Sequence, residues 1–302
     1  MASISASMVK ELREKTGAGM LDCKNALDET DGDLEKALEA LRKKGIASAE
    51  KKSGRLASEG LIYIHQEGNS AVLVEVNCET DFVGKNEDFQ NFVKSVGQHV
   101  FQKKPVSLEE MLSQEFAGSG KTVEEATKDM VIKIGENISV RRFQILEAGE
   151  GESLGAYTHM GSKIGSIVKV AGDSGKVSEK DIRGIAMHVA AVAPRFVRSD
   201  QIPAEVLAKE KEIYLAQMKD SGKPENILEK IVEGKVKKFG SEVCVEEQVF
   251  IKDPEGKSTV AKFLKGLDPK AQVVEFVRFQ VGEGMAKKEE DFAAEVAKQI
   301  GK

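Results

Sequence analysis

The first 45 residues carry apolar side chains at the three-to-four-residue spacing of amphipathic helices. Three such stretches, at residues 4–12, 20–27 and 34–41, predict a bundle of three short helices. We expect Asp31-Gly-Asp33 to cap the third helix and Gly45 to end it, with a linker helix after that glycine. Because a bundle this small has a marginal core, we expect it to dock on a larger body.

From Gly60 onward the apolar spacing changes to the two-residue alternation of strands. Leu61–Ile64 and Ala71–Val76 flank Glu67-Gly-Asn-Ser70, which predicts a β-hairpin. The next apolar patterns predict a helix over the sheet at residues 89–100, two more helices at 108–116 and 123–134, and a strand at 138–146.

The second half of the chain repeats this order of elements. A second hairpin is predicted from residues 155–160 and 164–170, a second covering helix at 182–193, and a returning strand at 273–280. The two returning strands share Val140-Arg-Arg-Phe-Gln144 and Val277-Arg-Phe-Gln280. We interpret this order as an internal duplication into two α+β halves.

A helical insertion interrupts the second half. Pro203 begins an apolar stripe that runs to Met218, and residues 220–224 turn the chain into a returning helix at 227–239. The pattern predicts an antiparallel hairpin about 20 Å long, whose stripes mostly bury each other and leave the tip and outer faces for contacts. A last amphipathic helix is predicted at residues 291–300, and it needs a surface to lie on.

Composition points to a protein partner. The chain of 302 residues is 40% hydrophobic and 31% charged, which is enough for a core but too charged for a membrane protein. A net charge of −5, the absence of tryptophan and 5% aromatic content all argue against direct nucleic-acid binding. Three distant cysteines without a CxxC pair indicate a reducing compartment, and Glu11 and Glu14 argue against a transit peptide, so we expect a cytoplasmic protein.

Residues with the types and spacing of catalytic or metal sites are few. Ala117-Gly-Ser-Gly-Lys-Thr122 resembles the end of a phosphate-binding loop, but it lacks the first glycine and follows a helical pattern rather than a strand. His65, His99, His159 and His188 show no metal-ligand spacing. His159 lies at a hairpin tip, where it is either a polar contact or an ordinary surface histidine. We therefore expect neither a cofactor nor a metal.

The stretch from Ala71 to Gly84 joins a buried strand to a tight turn with Asp81 and Phe82 at its tip. An aromatic ring beside a carboxylate at a strand exit can act on another molecule. The alternative, which the residue pattern alone favours, is that Phe82 folds back into the core.

Several motifs resemble those of bacterial-type translation elongation factor Ts. Two of them are long and specific: Val9-Lys-Glu-Leu-Arg-Glu-Lys-Thr-Gly-Ala-Gly-Met-Leu-Asp-Cys-Lys24 and Glu75-Val-Asn-Cys-Glu-Thr-Asp-Phe-Val83. Shorter matches are Lys133-Ile-Gly-Glu-Asn-Ile138, Ala186-Met-His-Val-Ala-Ala191, Ser221-Gly-Lys-Pro224 and Asp291-Phe-Ala-Ala-Glu-Val296. Together these motifs extend over almost the whole chain.

The resemblance implies an α+β fold with a duplicated core. Its segments would be a three-helix ubiquitin-associated-like domain and linker at 1–54, a core N-terminal subdomain at 55–146, a core C-terminal subdomain at 147–202 and 240–281, a coiled-coil hairpin insertion at 203–239, and a C-terminal helical module at 282–302. The implied activity is guanine nucleotide exchange on elongation factor Tu, in its GDP-bound and nucleotide-free states, and not enzymatic catalysis.

The resemblance also implies roles for particular residues. Thr80, Asp81, Phe82 and Val83 would form a turn that enters the partner and dislocates its magnesium ion, with Phe82 as an exposed wedge. Arg13, Met20 and Leu21 would dock on the partner's nucleotide domain, and His159 on its far domain. Leu21 stands where many relatives have methionine, and docking should tolerate this change because both side chains are apolar and unbranched at Cβ.

Two other functions compete with nucleotide exchange. The chain could be an adaptor that binds through its helical bundle and hairpin without driving exchange. It could also be a nucleotide-binding enzyme that uses Gly118-Ser-Gly-Lys-Thr122.

Overall fold

The computed structural model describes residues 4–16, 18–218 and 224–286. It has an α+β fold and divides into two compact units. Unit 1 comprises Met1–Tyr63, Val74–Phe143 and Gln280–Lys302, and unit 2 comprises Ile64–Leu73 and Gln144–Phe279. Within the described ranges, every helix is too short or too polar to cross a bilayer.

The chain begins with three helices, as the pattern predicts: α1 (Ala6–Thr16), α2 (Met20–Glu29) and α3 (Leu34–Ser53). Their shared core includes the fully buried Leu12, Leu27 and Ala37. Asp33 caps α3, because its carboxylate accepts hydrogen bonds from the backbone N–H groups of Glu35 and Lys36.

The prediction that Gly45 ends the third helix is wrong, and the expected linker helix is the second half of α3. Gly45 lies inside α3 and is buried. A Cβ atom at this position would come within 2.5 Å of Ile132 Cδ1, so the glycine allows α3 to pack closely against a helix of residues 123–134. Glycine occurs both at helix ends and where two helices pack closely together. The local sequence pattern does not distinguish these two cases.

The first predicted hairpin is confirmed: β1 (Glu59–Glu67) and β2 (Ser70–Cys78) join at Gly68, which has φ +55°. With β3 (Ser139–Glu147) they form a sheet in the order β1-β2-β3. After β2 come α4 (Asp81–Gly84), α5 (Glu87–Lys103), α6 (Leu108–Ser113) and α7 (Val123–Ile134). The helix predicted at 108–116 is therefore shorter than expected.

The second half contains β4 (Glu152–His159), β5 (Ile164–Ala171), α8 (Glu179–Val192), α9 (Ala204–Met218), α10 (Glu225–Val243), α11 (Val260–Leu267) and β6 (Gln272–Gln280). Strands β4 and β5 are antiparallel, with Glu152 opposite Ala171 and His159 opposite Ile164. The second sheet has the order β4-β5-β6, which matches the order of the first. Helix α11 was not predicted.

Helices α9 and α10 pack against each other as the predicted hairpin. Val232 and Phe239 of α10 are buried, but no residue of α9 is buried, and Ile213 and Ile227 remain exposed. The mutual burial of the two stripes is therefore only partial. The predicted tip lies largely in residues 219–223, and the predicted last helix in 291–300; both fall outside the described residues.

Candidate functional site: the turn after β2

The chain makes one turn of helix, α4, directly after β2. Thr80 precedes α4 with an extended backbone, at φ −127° and ψ 156°. The N–H groups of Lys85 and Asn86 donate to the carbonyls of Phe82 and Val83, which closes the turn. Asn86 then caps α5 by accepting a hydrogen bond from the Phe89 N–H, 3.2 Å away. The site is thus a short helical loop between a buried strand and a well-capped helix.

Phe82 projects from this turn into solvent, with 77% of its surface exposed. Its neighbour Val83 is only 8% exposed and fills the inward position instead. Since consecutive residues of a helical turn point about 100° apart, only one of the two can face the core. The expectation from the residue pattern, that Phe82 lies in the core, is wrong, whereas the exposure implied by the family resemblance is confirmed.

Asp81 and Phe82 both contact the side chain of Lys85. Lys85 Nζ lies 2.8 Å from Asp81 Oδ2 and 5.6 Å from the centre of the Phe82 ring. All three side chains are solvent-exposed, so the ion pair contributes at most about 1 kcal/mol to folding. These contacts orient the tip only weakly.

The base of the turn is held by a carboxylate from a distant part of the sequence. Glu136 accepts hydrogen bonds from the N–H groups of Glu79 and Thr80, at 3.1 and 3.0 Å, and from Thr80 Oγ1, at 2.7 Å. In return, the Glu79 carboxylate accepts a bond of 2.6 Å from the Asn137 N–H. Neither Glu79 nor Glu136 is assigned a role by the residue pattern or by the family resemblance. The available signal is that each lies in a motif of the resemblance, Glu79 in Glu75–Val83 and Glu136 in Lys133–Ile138.

A buried carboxylate lies three residues before the end of β2. Glu75 is fully buried and binds Arg141 Nη1 at 3.0 Å, Arg142 Nε at 2.6 Å and the Gly282 N–H at 2.9 Å. Burial by itself raises the pKa of Glu75, but the Gly282 N–H and the two guanidinium groups outweigh burial and lower the pKa below its ordinary value of 4.5. Glu75 therefore remains ionised and ties β2 to β3 and to the chain after β6.

The predicted docking residues of the helical bundle are exposed. Arg13 lies on the outer face of α1, while Met20 and Leu21, in the first turn of α2, are 58% and 71% exposed. Met20 and Leu21 line a shallow surface hollow together with Ile4, Ala6, Val9 and Lys24. Two large apolar side chains side by side in solvent are a feature typical of a protein-binding surface.

His159 is the last residue of β4 and is exposed at the end of the second hairpin. Its Nδ1 lies 2.9 Å from the hydroxyl of Tyr157, and the two rings stack with centres 5.8 Å apart. His159 belongs to unit 2, whereas Arg13, Met20, Leu21 and the turn from Thr80 to Val83 belong to unit 1.

The segment that resembles a phosphate-binding loop forms the connection between two helices, α6 and α7. Thr122 caps α7 in a reciprocal arrangement with Glu125, and Lys121 forms an ion pair with Asp129. The side chains of Lys121 and Thr122 thus have local structural partners. In the described part of the chain, no cluster of histidine, cysteine and acidic residues is arranged to hold a metal ion.

Comparison with known protein families gives a match that spans this turn. The profile described as elongation factor TS matches residues 79–283, which is more than half of the chain. The match begins at Glu79, immediately before the exposed turn, and extends to Glu283, beyond β6. The chain therefore belongs to the elongation factor Ts family of translation factors.

Proposed function

We propose that this chain is a guanine nucleotide exchange factor for elongation factor Tu, and that it releases GDP by inserting the Asp81–Phe82 turn into the partner. The observation that carries the proposal is the 77% exposure of Phe82 on a turn with a well-bonded base. Burying a phenylalanine side chain gains about 1.5–3 kcal/mol of free energy. Folding does not bury Phe82, so binding of a partner over the ring would gain this free energy.

The proposed mechanism acts on the partner's own magnesium ion. A GTPase holds GDP through backbone contacts to the phosphates and through Mg²⁺, which neutralises their charge. Insertion of Phe82, with Asp81 beside it and Thr80 and Val83 shaping the turn, displaces the elements that hold this ion. GDP then loses charge compensation and dissociates faster. By linkage, GDP and the exchange factor weaken each other's binding by the same factor, so no preference for GTP is needed.

In this proposal, the surfaces that bind the partner are separate from the turn that inserts into it. Arg13, Met20 and Leu21 dock the helical bundle on the partner's nucleotide domain, and the exposed pair on α2 supports this role. His159 contacts the partner's far domain from the hairpin end of β4. The chain binds both GDP-bound and nucleotide-free elongation factor Tu, needs no cofactor or nucleic acid, and acts in the cytoplasm, where translation takes place.

We also propose a finer division of the chain. The three helices resemble a ubiquitin-associated domain, the two sheets with their helices are duplicated subdomains, and α9 with α10 is an inserted coiled coil. The identical strand order of the two sheets supports the duplication.

The test is the rate at which fluorescent GDP leaves elongation factor Tu in a stopped-flow chase with unlabelled GDP. We expect the wild-type chain to accelerate release, and Phe82→Ala to reduce the maximal acceleration roughly tenfold to a hundredfold. Val106→Ala is the matched control, because Val106 is also an exposed apolar residue of unit 1, at 91%, but lies away from the turn.

Two results would contradict the proposal. If the wild-type chain leaves the GDP release rate unchanged, the chain is not an exchange factor, and the adaptor function becomes the better explanation. If Phe82→Ala accelerates release as fully as wild type, exchange stands but the wedge role of Phe82 is wrong. Denaturation curves for each variant establish that the comparison is between folded proteins.

A further inference from the structure

We infer that Glu136 is a positioning residue for nucleotide exchange, which fixes the Asp81–Phe82 turn by bonding the backbone just before it. The inference rests on the proposed exchange function, and it adds a residue that lies 56 positions from Thr80, in the connection between α7 and β3. Glu136 need not touch the partner, since its contacts are to the base of the turn.

The geometry of these contacts is specific. Both oxygens of the Glu136 carboxylate are used: Oε2 accepts from the N–H groups of Glu79 and Thr80, and Oε1 accepts from the Thr80 hydroxyl. This explains why Thr80 precedes α4 without capping it by its side chain. An ionised acceptor makes shorter and stronger hydrogen bonds than a neutral one, so one side chain restrains two consecutive peptide units.

The chain reverses sharply to bring Glu136 to this place. Gly135 ends α7 with φ +88°, a left-handed conformation that most residues avoid. Directly afterwards, the Asn137 N–H donates to the Glu79 carboxylate. The segments 79–80 and 136–137 therefore exchange carboxylate-to-backbone hydrogen bonds in both directions. This reciprocal clamp fixes the direction in which the turn leaves β2.

The consequence for exchange follows from preorganisation. A wedge that is already held in its inserting geometry loses little freedom when it enters a partner, whereas a loose wedge must first be ordered. Docking through Met20 and Leu21 does not involve this clamp. Loss of Glu136 should therefore lower the maximal rate of GDP release more than it lowers the affinity of the complex.

The experiment compares Glu136→Ala, Glu136→Gln and Thr80→Val in the stopped-flow chase, at increasing concentrations of the factor. We expect Glu136→Ala to lower the maximal GDP release rate about tenfold, with the half-saturating concentration changed less than twofold. Glu136→Gln keeps an acceptor and should recover part of the rate. Thr80→Val removes only the hydroxyl and should fall between wild type and Glu136→Ala. Glu125→Gln is the matched control, because Glu125 caps the same helix, α7, at its other end.

A second measurement reports on the turn itself. The chain contains no tryptophan, so Phe82→Trp introduces a single tryptophan at the tip as a fluorescent probe. Adding Glu136→Ala to Phe82→Trp should produce a fast local component in the time-resolved anisotropy, and adding Glu125→Gln should not.

The outcomes separate this inference from the proposed function. If Phe82→Ala abolishes acceleration while Glu136→Ala and Thr80→Val retain the full rate, exchange stands and the positioning role is overturned. An unchanged anisotropy decay in the Glu136→Ala background overturns it as well. If Phe82→Ala itself has no effect, the wedge mechanism fails, and with it the basis of this inference.

Discussion

Glu75 and Arg142 form an ion pair inside unit 1, with 2.6 Å between the Glu75 Oε2 and the Arg142 Nε. The carboxylate is fully buried, while the guanidinium groups of Arg141 and Arg142 remain partly exposed. Arg142 also reaches the Gln280 carbonyl and the Glu283 carboxylate. One buried charge thus holds three chain segments together: β2, β3 and the residues after β6.

We predict that Glu75→Gln lowers the free energy of unfolding by about 2–4 kcal/mol. The substitution leaves two arginines and the Gly282 N–H without a carboxylate, although the partly exposed arginines can regain water. Urea denaturation at neutral pH measures the change. Glu109→Gln, at an exposed position on α6, should alter stability by less than about 0.5 kcal/mol. Equal effects of the two substitutions would contradict the buried role of Glu75.

The same group makes stability depend on acid pH. Because the pKa of Glu75 is lowered in the folded protein, its contribution is complete above its ordinary pKa of 4.5 and is lost as pH falls through the folded value. We expect the wild type to lose more stability than Glu75→Gln as the pH is lowered from 5. The midpoints of urea denaturation measure this loss. Parallel curves for the two proteins would contradict the lowered pKa.

The contact of Gly45 with Ile132 gives a prediction about helix packing. Gly45→Ala gains about 1 kcal/mol of helix propensity but places a Cβ 2.5 Å from Ile132 Cδ1, so we expect a net loss of about 1 kcal/mol. Ile132→Val removes that Cδ1 atom. The double variant should therefore be more stable than the sum of the single changes predicts, by about 1 kcal/mol.

Gly234 of α10 serves as the control for helix propensity. It is also a helical glycine, but nothing lies within 4 Å of a Cβ built on it. Gly234→Ala should stabilise the protein by about 0.5–1 kcal/mol in the same denaturation experiment. Additive effects of Gly45→Ala and Ile132→Val would show that the two residues are not in close contact.

Local pattern was sufficient for elements whose apolar residues face one core. The hairpin of β1 and β2, the covering helices α5 and α8, and the helical hairpin were all predicted from spacing, because burial of one face imposes a period on the sequence. Pattern failed at Gly45, whose role depends on a side chain 87 positions away. Such packing leaves no periodic signal near the residue itself.

At the candidate site, too, some features could be predicted from the local pattern and others could not. Strand β2 and the turn after it were predictable, but spacing could not tell which of Phe82 and Val83 faces solvent, and only the family resemblance implied the answer. The bonds from Glu136 to residues 79 and 80 were not predictable either, since a single acidic residue in a polar segment resembles any surface glutamate.

His188 provides a prediction about neutral pH. This buried residue of α8 has its Nε2 2.9 Å from Gln248 Oε1, and its Nδ1 accepts a hydrogen bond from the Ile251 N–H. The neutral ring must therefore carry its proton on Nε2. Burial lowers the pKa of His188 below its ordinary value of 6.5, although the bond to Gln248 acts in the opposite direction.

Because the pKa of His188 is lowered in the folded protein, the histidine is protonated at a higher pH in the unfolded chain than in the folded one. The stabilising contribution is therefore complete above pH 6.5 and is lost as pH falls through the folded pKa. We expect wild-type stability to decline below pH 6.5, and His188→Gln to reduce the slope. Part of the slope should remain, because burial also lowers the pKa of His99. An NMR titration that found His188 charged at pH 6.5, or protonated on Nδ1 when neutral, would contradict this prediction.

A substitution of Leu21 should change the half-saturating concentration of the factor, which reports docking, and leave the maximal GDP release rate, which reports insertion of the turn, nearly unchanged. Leu21 is 71% exposed beside Met20, so Leu21→Ala should cost the complex about 1–2 kcal/mol, which raises the half-saturating concentration roughly fivefold to thirtyfold. The maximal GDP release rate should change less than twofold, because the turn proposed to insert is intact. Leu38→Ala, at a less exposed leucine of the same bundle, is the matched control.

The double variant Leu21→Ala with Phe82→Ala tests whether the two surfaces act independently. If Leu21 contributes only to docking and Phe82 only to insertion, the loss in affinity and the loss in maximal rate should add, since residues without shared contacts rarely couple by more than about 0.5 kcal/mol. A Leu21→Ala protein with normal affinity and a reduced maximal rate would contradict the docking role. It would instead make the bundle part of the inserting surface, because only an interaction gained during insertion changes the rate without changing the affinity.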